Sequence, residues 1–252
     1  MVLMMENRAF DHMVGFLQKY NSDVDGCLPK DVKCSNHLSA LDPTSPLFIA
    51  DETAVYSQTG PNHEIYGTTE EICTCQLNHR YYQMCGFAQN YARYFSDPMT
   101  GGNIMKCFSR ENVPAISALA DEFALFDGFF SSVPGPTEPN RAYAISATSH
   151  GMGYNDPEVM IRGLPQKTIM RQLREMGRDW RIYFEQVPAA VMFKDLRHKE
   201  ARQRYHVLHQ LYADLAAGDL PEYSWIEPAY FDTAIAPARD QHPDHDVTAL
   251  FQ

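Results

Sequence analysis

No stretch of this 252-residue chain approaches the run of about 18 consecutive apolar residues that a membrane-spanning helix needs. Positive charge is scarce: 21 Lys and Arg face 32 Asp and Glu, for a net charge of −11. That deficit works against a broad nucleic-acid surface, which needs excess Lys and Arg to displace counterions. It also works against electrostatic docking on anionic lipid, leaving at most peripheral membrane contact. There is no Walker loop and no dinucleotide-binding glycine fingerprint. Ser149-His150 lacks the strained nucleophile elbow that would make it a Ser/His pair. Cysteine is absent after Cys107, and all six cysteines (27, 34, 73, 75, 85 and 107) precede that point. An even, clustered set fits a disulfide-stapled region in an oxidising compartment. Free thiols and a zinc site are the alternatives, the latter opposed by the single-residue gap of Cys73-Thr74-Cys75.

What is present suits a globular α/β protein. Hydrophobic residues make up 44% and aromatics 12%, enough to bury a sizeable core in one large domain or two small ones. Met1–Met5 starts as a buried-strand pattern without a lead-in or a basic n-region, and Thr248–Gln252 stops as if entering a helix. Both ends look cut, so the expectation is a single incomplete domain over 1–252, truncated at both ends.

Val2–Met5 reads as a short central strand. Asn7 is placed to cap a helix whose apolar face is Phe10, Met13, Val14 and Leu17. Residues 21–62 read as a loop-rich excursion ending in the Gly60-Pro61-Asn62-His63 turn. Helices are expected over 64–75, 77–95 and 113–123, the last with Pro114 in its first turn. The aromatic run Phe123–Phe130 reads as a strand, and a helix begins near Asn140. Further on come a helix over 167–176 stopped by Gly177, a strand at Arg181–Glu185, a long helix over 199–217 and a strand at Tyr223–Ile226. Strands alternating with helices predict a mostly parallel sheet flanked by helices.

Three polar clusters carry candidate chemistry. Gly135-Pro136-Thr137-Glu138-Pro139-Asn140-Arg141 sets a hydroxyl, a carboxylate, an amide and a guanidinium in a Gly/Pro-pinned segment. A metal or base would make the Thr137 hydroxyl a nucleophile. Asn140 and Arg141 would hold phosphate oxygens, and the helix N-terminus would add its positive dipole end. The bland alternative is a helix cap with Arg141 on a solvated face. Glu6-Asn7 offers two hard oxygen donors for a divalent cation at a strand end, where α/β proteins bind ligands. Its bland alternative is a capped helix start. Asp240–Asp246 contains His242 and His245, suited to proton transfer, with His242 the candidate general acid. An exposed loop is the competing reading there, as it is for His63.

Taken together, VLMMENRAFDHMVGFL, GPNHE, FALFDGFFSSVPGPTEPNRAYAISATSHG, PQKTI, WIEPAYFDT and DQHPDHDV resemble the phosphoesterase family of non-specific phospholipases C and a bacterial acid phosphatase. The resemblance implies an alkaline-phosphatase-like α/β core and metal-assisted hydrolysis of a phospholipid or phosphomonoester. By motif, Glu6, Asn7 and Thr137 would bind the divalent metal ion, and Thr137 would form a phosphothreonine. Asn140 and Arg141 would shape the site, and His63, His242 and His245 would surround the phosphate and leaving group. The preferred activity is of the phospholipase C type, with a phosphomonoesterase or a catalytically inactive binding protein as alternatives, in an extracellular or secretory setting. Ala9 stands where the family has Ser and Gln241 where a second Asp is common. The region from Asn21 to Cys107 fits the family least. A later acidic Asp-Glu-His-Gly-Gly-like stretch of the family would fall after residue 252, so part of the metal site is expected beyond this chain.

Overall fold

The computed structural model describes residues 1–5, 8–28, 30–54, 60–73 and 84–227. The backbone divides into two compact units, Met1–Glu6 with Gly135–His242, and Asn7–Pro134 with Pro243–Gln252. In chain order, β1 (Val2–Leu3) opens the first unit. The second unit carries α1 (Phe10–Val14), β2 (Ser35–His37), β3 (Leu47–Ile49), β4 (Asp51–Ala54), α2 (Ile65–Cys73), α3 (Phe87–Tyr94), β5 (Lys106–Phe108) and α4 (Pro114–Glu122). The first unit resumes with α5 (Thr137–Ser146), α6 (Pro157–Arg162), α7 (Ile169–Glu175), β6 (Trp180–Phe184), α8 (Lys199–Arg202), β7 (Tyr205–Val207), α9 (Leu208–Ala217) and β8 (Tyr223–Glu227).

The first unit is a mixed α/β layer structure around a parallel sheet ordered β1-β8-β6-β7. A parallel sheet is covered on both faces, so its inner strands are buried throughout. In β8, Ser224, Trp225, Ile226 and Glu227 are all buried. Alternation along the strands sorts the faces. Trp180, Ile182 and Trp225 pack with Ala142 and Ile145 of α5 and Met170 of α7. Tyr183 and Ile226 point the other way, onto Leu211 of α9. On that second face the Tyr183 hydroxyl donates to Asp214 at 2.6 Å and Arg181 pairs with Asp214 at 2.7 Å. Those donors, with Gln210, hold the Asp214 carboxyl down at about 2.

Several expectations change. β1 lies at the end of the described sheet, paired only with β8, rather than at its centre. The stretch 199–217 is not one helix: α8 ends at Arg202, and Tyr205–Val207 pairs with Ile182–Phe184 as β7 before α9 begins. Backbone pairing to a neighbouring strand there overrides the helical reading. Phe123–Phe130 forms no strand. Asp127-Gly128 makes a turn in its middle, the Asp127 carboxylate accepts from the Asp25 amide at 2.9 Å, and Phe123, Phe126, Phe129 and Phe130 are exposed.

The second unit has small local cores rather than one sheet. Phe16, Cys27, Ala50 and Cys107 form one cluster, and Ala54, Phe108 and Val113 another. The cap position of α1 is Ala9, which offers no side-chain acceptor. Asn7, the expected cap, lies outside the described residues. A Cβ at Gly26 would meet the Gly15 carbonyl oxygen at 2.2 Å, so only glycine lets these two segments close to the Cys27 N–H to Gly15 O bond. Cys27 and Cys34 are disulfide-bonded and Cys85 is in a disulfide as well, whereas Cys107 is a buried free thiol. The expected stapling holds at these positions.

Where α2 meets α3, Glu70 accepts from Asn90 at 2.7 Å and pairs with Arg93. Its neighbour Glu71 is buried, and burial, with Glu70 beside it, pushes the Glu71 carboxyl up from 4.5 to about 8. A carboxyl whose folded pKa is raised binds its proton more tightly in the native state, so stability falls as pH rises from 4.5 to 8. Glu71→Gln is therefore expected to raise the urea midpoint relative to the parent at pH 8 and to match it near pH 4.5. A constant difference across that range would contradict this.

Candidate active site at the start of α5

The segment after Pro134 turns directly into α5, with Pro136 at the cap position in extended geometry (φ −75°) and Thr137 as the first helical residue. Proline suits this place because its fixed φ is ready for a helix and its missing N–H is not needed. Thr137 thus stands at a loop-to-helix junction, three residues ahead of the expected helix start and without a strand before it. Its side chain is half-buried.

Two asparagines fix this turn. Asn140 Nδ2 donates back to the carbonyls of Gly135 and Pro136 at 3.1 and 3.0 Å. Asn140 thereby helps to shape the loop that presents Thr137. Asn155 Oδ1 accepts from the backbone N–H of Glu138 at 2.8 Å, satisfying a first-turn donor that the helix itself leaves open. Asn155 carries no motif-like signal in the sequence, and only its return to α5 reveals it.

Arg141 lies one turn beyond Thr137, on the same side of α5. It is 2% exposed, which excludes the solvated-face reading. Its Nη2 donates to the Met4 carbonyl at 3.4 Å, just past β1, and its Nη1 lies 3.9 Å from Glu227 Oε2 at the end of β8. Glu227 is 1% exposed and shares the face of Trp225. It accepts from the Ala189 N–H at 2.6 Å, the Ala190 N–H at 3.3 Å and the Trp225 indole at 2.9 Å. Burial pushes the Glu227 carboxyl up, while Arg141 and these donors oppose the shift. Each of these bonds is one that Glu227 accepts, the pattern of a carboxylate. The sequence reading passed over Glu227. Its two-residue spacing from Trp225 on a buried strand was the available signal.

Thr137, Asn140 and Arg141 therefore gather in the first unit at the carboxyl end of the parallel strands, where open α/β sheets bind ligands. His63 belongs to the second unit. Its Nδ1 lies 3.0 Å from the Pro61 carbonyl, which can only accept, so Nδ1 donates there. Asn62 Oδ1 accepts from the Glu64 N–H at 3.2 Å ahead of α2. Glu6, Asn7, His242 and His245 lie outside the described residues. Among the described residues no three His, Cys, Asp or Glu side chains converge on a common point. His12, in the same motif as Glu6 and Asn7, is edge-on to Phe108 at 4.9 Å. Burial and the Arg8 charge depress its pKa to about 4, so it is neutral at pH 7.

The first unit thus combines a parallel α/β sheet with a hydroxyl at a helix N-terminus and a buried cation one turn further along that helix. The phosphoesterase family profile matches residues 1–250, and the chain belongs to that family. It is 38% identical over 249 residues to non-specific phospholipase C1 of Arabidopsis thaliana, covering 98% of this chain and 46% of that protein. Non-specific phospholipase C4 of the same plant is 34% identical over 255 residues, covering 98% and 47%. Phospholipase C B of Mycobacterium tuberculosis is 26% identical over 263 residues, covering 91% and 49%. The chain spans about half the length of the curated relatives it matches.

Removing Glu227 would take the carboxylate from beside the buried Arg141 guanidinium and leave the Ala189, Ala190 and Trp225 N–H donors without their acceptor. Glu227→Ala is expected to cost about 3–5 kcal/mol in urea unfolding, with Glu227→Gln recovering part of the loss. A cost below about 1 kcal/mol for Glu227→Ala would show that the pair does not hold α5 to the sheet.

Proposed function

We propose that the protein is a metal-dependent phosphoester hydrolase of the phospholipase C type, with Thr137 as its nucleophile. The observation that carries the reading is the placement of Thr137 as the first residue of α5, on a helix held to the carboxyl ends of β1 and β8 through Arg141. The phospholipase C names of its relatives support the substrate class.

In this reading the Thr137 hydroxyl gives its proton to water, its oxygen attacks phosphorus and the bond to the glycerol oxygen breaks. Diacylglycerol leaves with a proton supplied by His242. The phosphorylated headgroup stays on Thr137 until water attacks phosphorus and frees the hydroxyl. Asn140 and Asn155 keep Thr137 aimed by fixing the loop and the first turn. Arg141, shut away from water, serves as a fixed positive charge below the phosphate.

Glu6, Asn7 and Thr137 would hold the divalent cation. Their donors are a carboxylate, an amide oxygen and a hydroxyl, an all-oxygen set that suits a hard ion. The fit is supported by Met4, whose carbonyl contacts the helix bearing Thr137 only two residues before Glu6. When bound, the ion would lower the pKa of the Thr137 hydroxyl and neutralise phosphate charge. The disulfides at Cys27–Cys34 and Cys85 support an extracellular or secretory setting.

Purified protein is expected to release diacylglycerol from phosphatidylcholine vesicles, to lose that activity with a chelator and to regain it with divalent metal. Thr137→Ala should lower the rate about a thousandfold or more while the circular dichroism spectrum is unchanged. Turnover of a phosphomonoester alone would replace the diester reading with a phosphatase. Turnover of neither would favour the non-catalytic binding protein.

A further inference from the structure

Two cavities of the first unit are lined by none of Thr137, Asn140 and Arg141. The larger, about 650 Å³, is lined by Arg174, Arg181 and Arg204. Each of these pairs with a carboxylate, namely Glu200, Asp214 with Asp219, and Asp179 respectively. Its charges are already answered from within. The smaller, about 390 Å³, is lined by Arg162 and Lys194; neither is in a salt bridge among the described residues, and Arg162, after the Val159 amide, helps to hold the Asp156 carboxyl on the same wall below its usual range.

The segments that carry these two exposed cations are joined through their backbones. Leu164 N–H donates to the Met192 carbonyl at 2.7 Å, and Lys194 N–H donates to the Leu164 carbonyl at 2.9 Å. The Arg197 guanidinium donates to the carbonyls of Met160, Ile161 and Val191, so it caps the last turn of α6 and ties it to the segment carrying Lys194. Gly163 has φ +88°, and a Cβ there would come within 2.8 Å of Lys194 Cγ. Glycine is thus what lets the Lys194 stem lie across the end of α6. The floor is apolar, made of Met152, Val159 and Leu164. On the wall, Asp156 accepts from the Glu158 and Val159 amides at 2.9 and 3.1 Å. Asp156 also accepts from the Tyr154 hydroxyl, and an acidic acceptor beside two cations suits a ligand that carries hydroxyls as well as negative charge.

We infer that this cavity is a binding site for a phosphate-bearing polyol, with Arg162 and Lys194 gripping the phosphate, Asp156 accepting from a hydroxyl and the apolar floor seating the carbon chain. A guanidinium and an ammonium reaching in from two segments match the charge and the several acceptor oxygens of a phosphate. The site does not depend on Thr137 being a nucleophile. It adjoins that residue's turn, because Tyr154 and Asp156 on its wall flank Asn155, which binds the Glu138 amide. The same chemistry is offered by a lipid headgroup or by a soluble phosphate ester.

The test is calorimetric titration of the Thr137→Ala protein, which removes turnover, with sn-glycerol 3-phosphate, glycerol and inorganic phosphate. Glycerol 3-phosphate is expected to bind most tightly and glycerol not at all. Adding Arg162→Ala and Lys194→Ala should weaken glycerol 3-phosphate binding by about tenfold or more. Lys199→Ala with Arg202→Ala, exposed cations off the cavity, should leave it unchanged. Displacement by short-chain phosphatidylglycerol assigns the pocket to a lipid headgroup, and lack of displacement assigns it to a soluble ester; either supports the site. No binding of glycerol 3-phosphate, equal affinity after the Arg162 and Lys194 changes, or equal loss in the control pair would overturn it. A wild-type protein that hydrolyses nothing would remove the Thr137 reading and leave this result standing.

Discussion

The first unit turns on one buried contact set, in which Arg141 reaches from α5 to the Met4 carbonyl and to Glu227. Burying a guanidinium and a carboxylate is costly unless each finds partners. Here three N–H donors complete the carboxylate, and the backbone past β1 accepts from the guanidinium. The result joins three segments far apart in sequence: the chain after β1, the helix after Pro136 and the end of β8. Because Thr137 and Arg141 lie one turn apart, the same contact sets where the hydroxyl stands relative to the strand ends. The pairing of β1 with β8, Val2 opposite Trp225 and Leu3 opposite Ile226, brings Met4 and Glu227 to the same edge.

Around this anchor the local chemistry is consistent. Asn140 ties the Gly135-Pro136 carbonyls and Asn155 takes the Glu138 amide, so the turn carrying Thr137 is held on both sides. A nucleophile gains from such fixing because misplacement by even an ångström is expensive in rate. The cationic cavity between α6 and the 191–197 segment adjoins the same turn through Asn155. Arg141 gives a buried fixed charge, whereas Arg162 and Lys194 remain open to a ligand. In a chain of net charge −11, these are local positive sites against an acidic background.

Much of this was legible in the residues. Trp180–Phe184 and Tyr223–Glu227 are short apolar runs between turn signals, and both are strands; Pro114 and Gly177 bound their helices as their backbone preferences dictate. The family motifs located Thr137, Asn140 and Arg141. What failed depended on partners distant in sequence. Phe123–Phe130 has strand-like residues, but Asp127-Gly128 turns within it and no described strand pairs with it. Tyr205–Val207 looked like helix interior until β6 supplied a ladder. Glu227 and Asn155 looked like ordinary polar residues, since only tertiary closure brings Arg141 and the Glu138 amide to them. The two carbonyls that Asn140 ties, Gly135 and Pro136, likewise emerge only once the loop folds back on α5.

The central claim is that Thr137 carries the transferred phosphoryl group. Rapid acid quenching of the protein during turnover of a phospholipid radiolabelled in its phosphate, followed by peptide mapping, tests it most directly. The account predicts label on the peptide containing Thr137, bearing the phosphorylated headgroup and released on longer incubation with water. Turnover without a labelled peptide, or label on any residue other than Thr137, would contradict it.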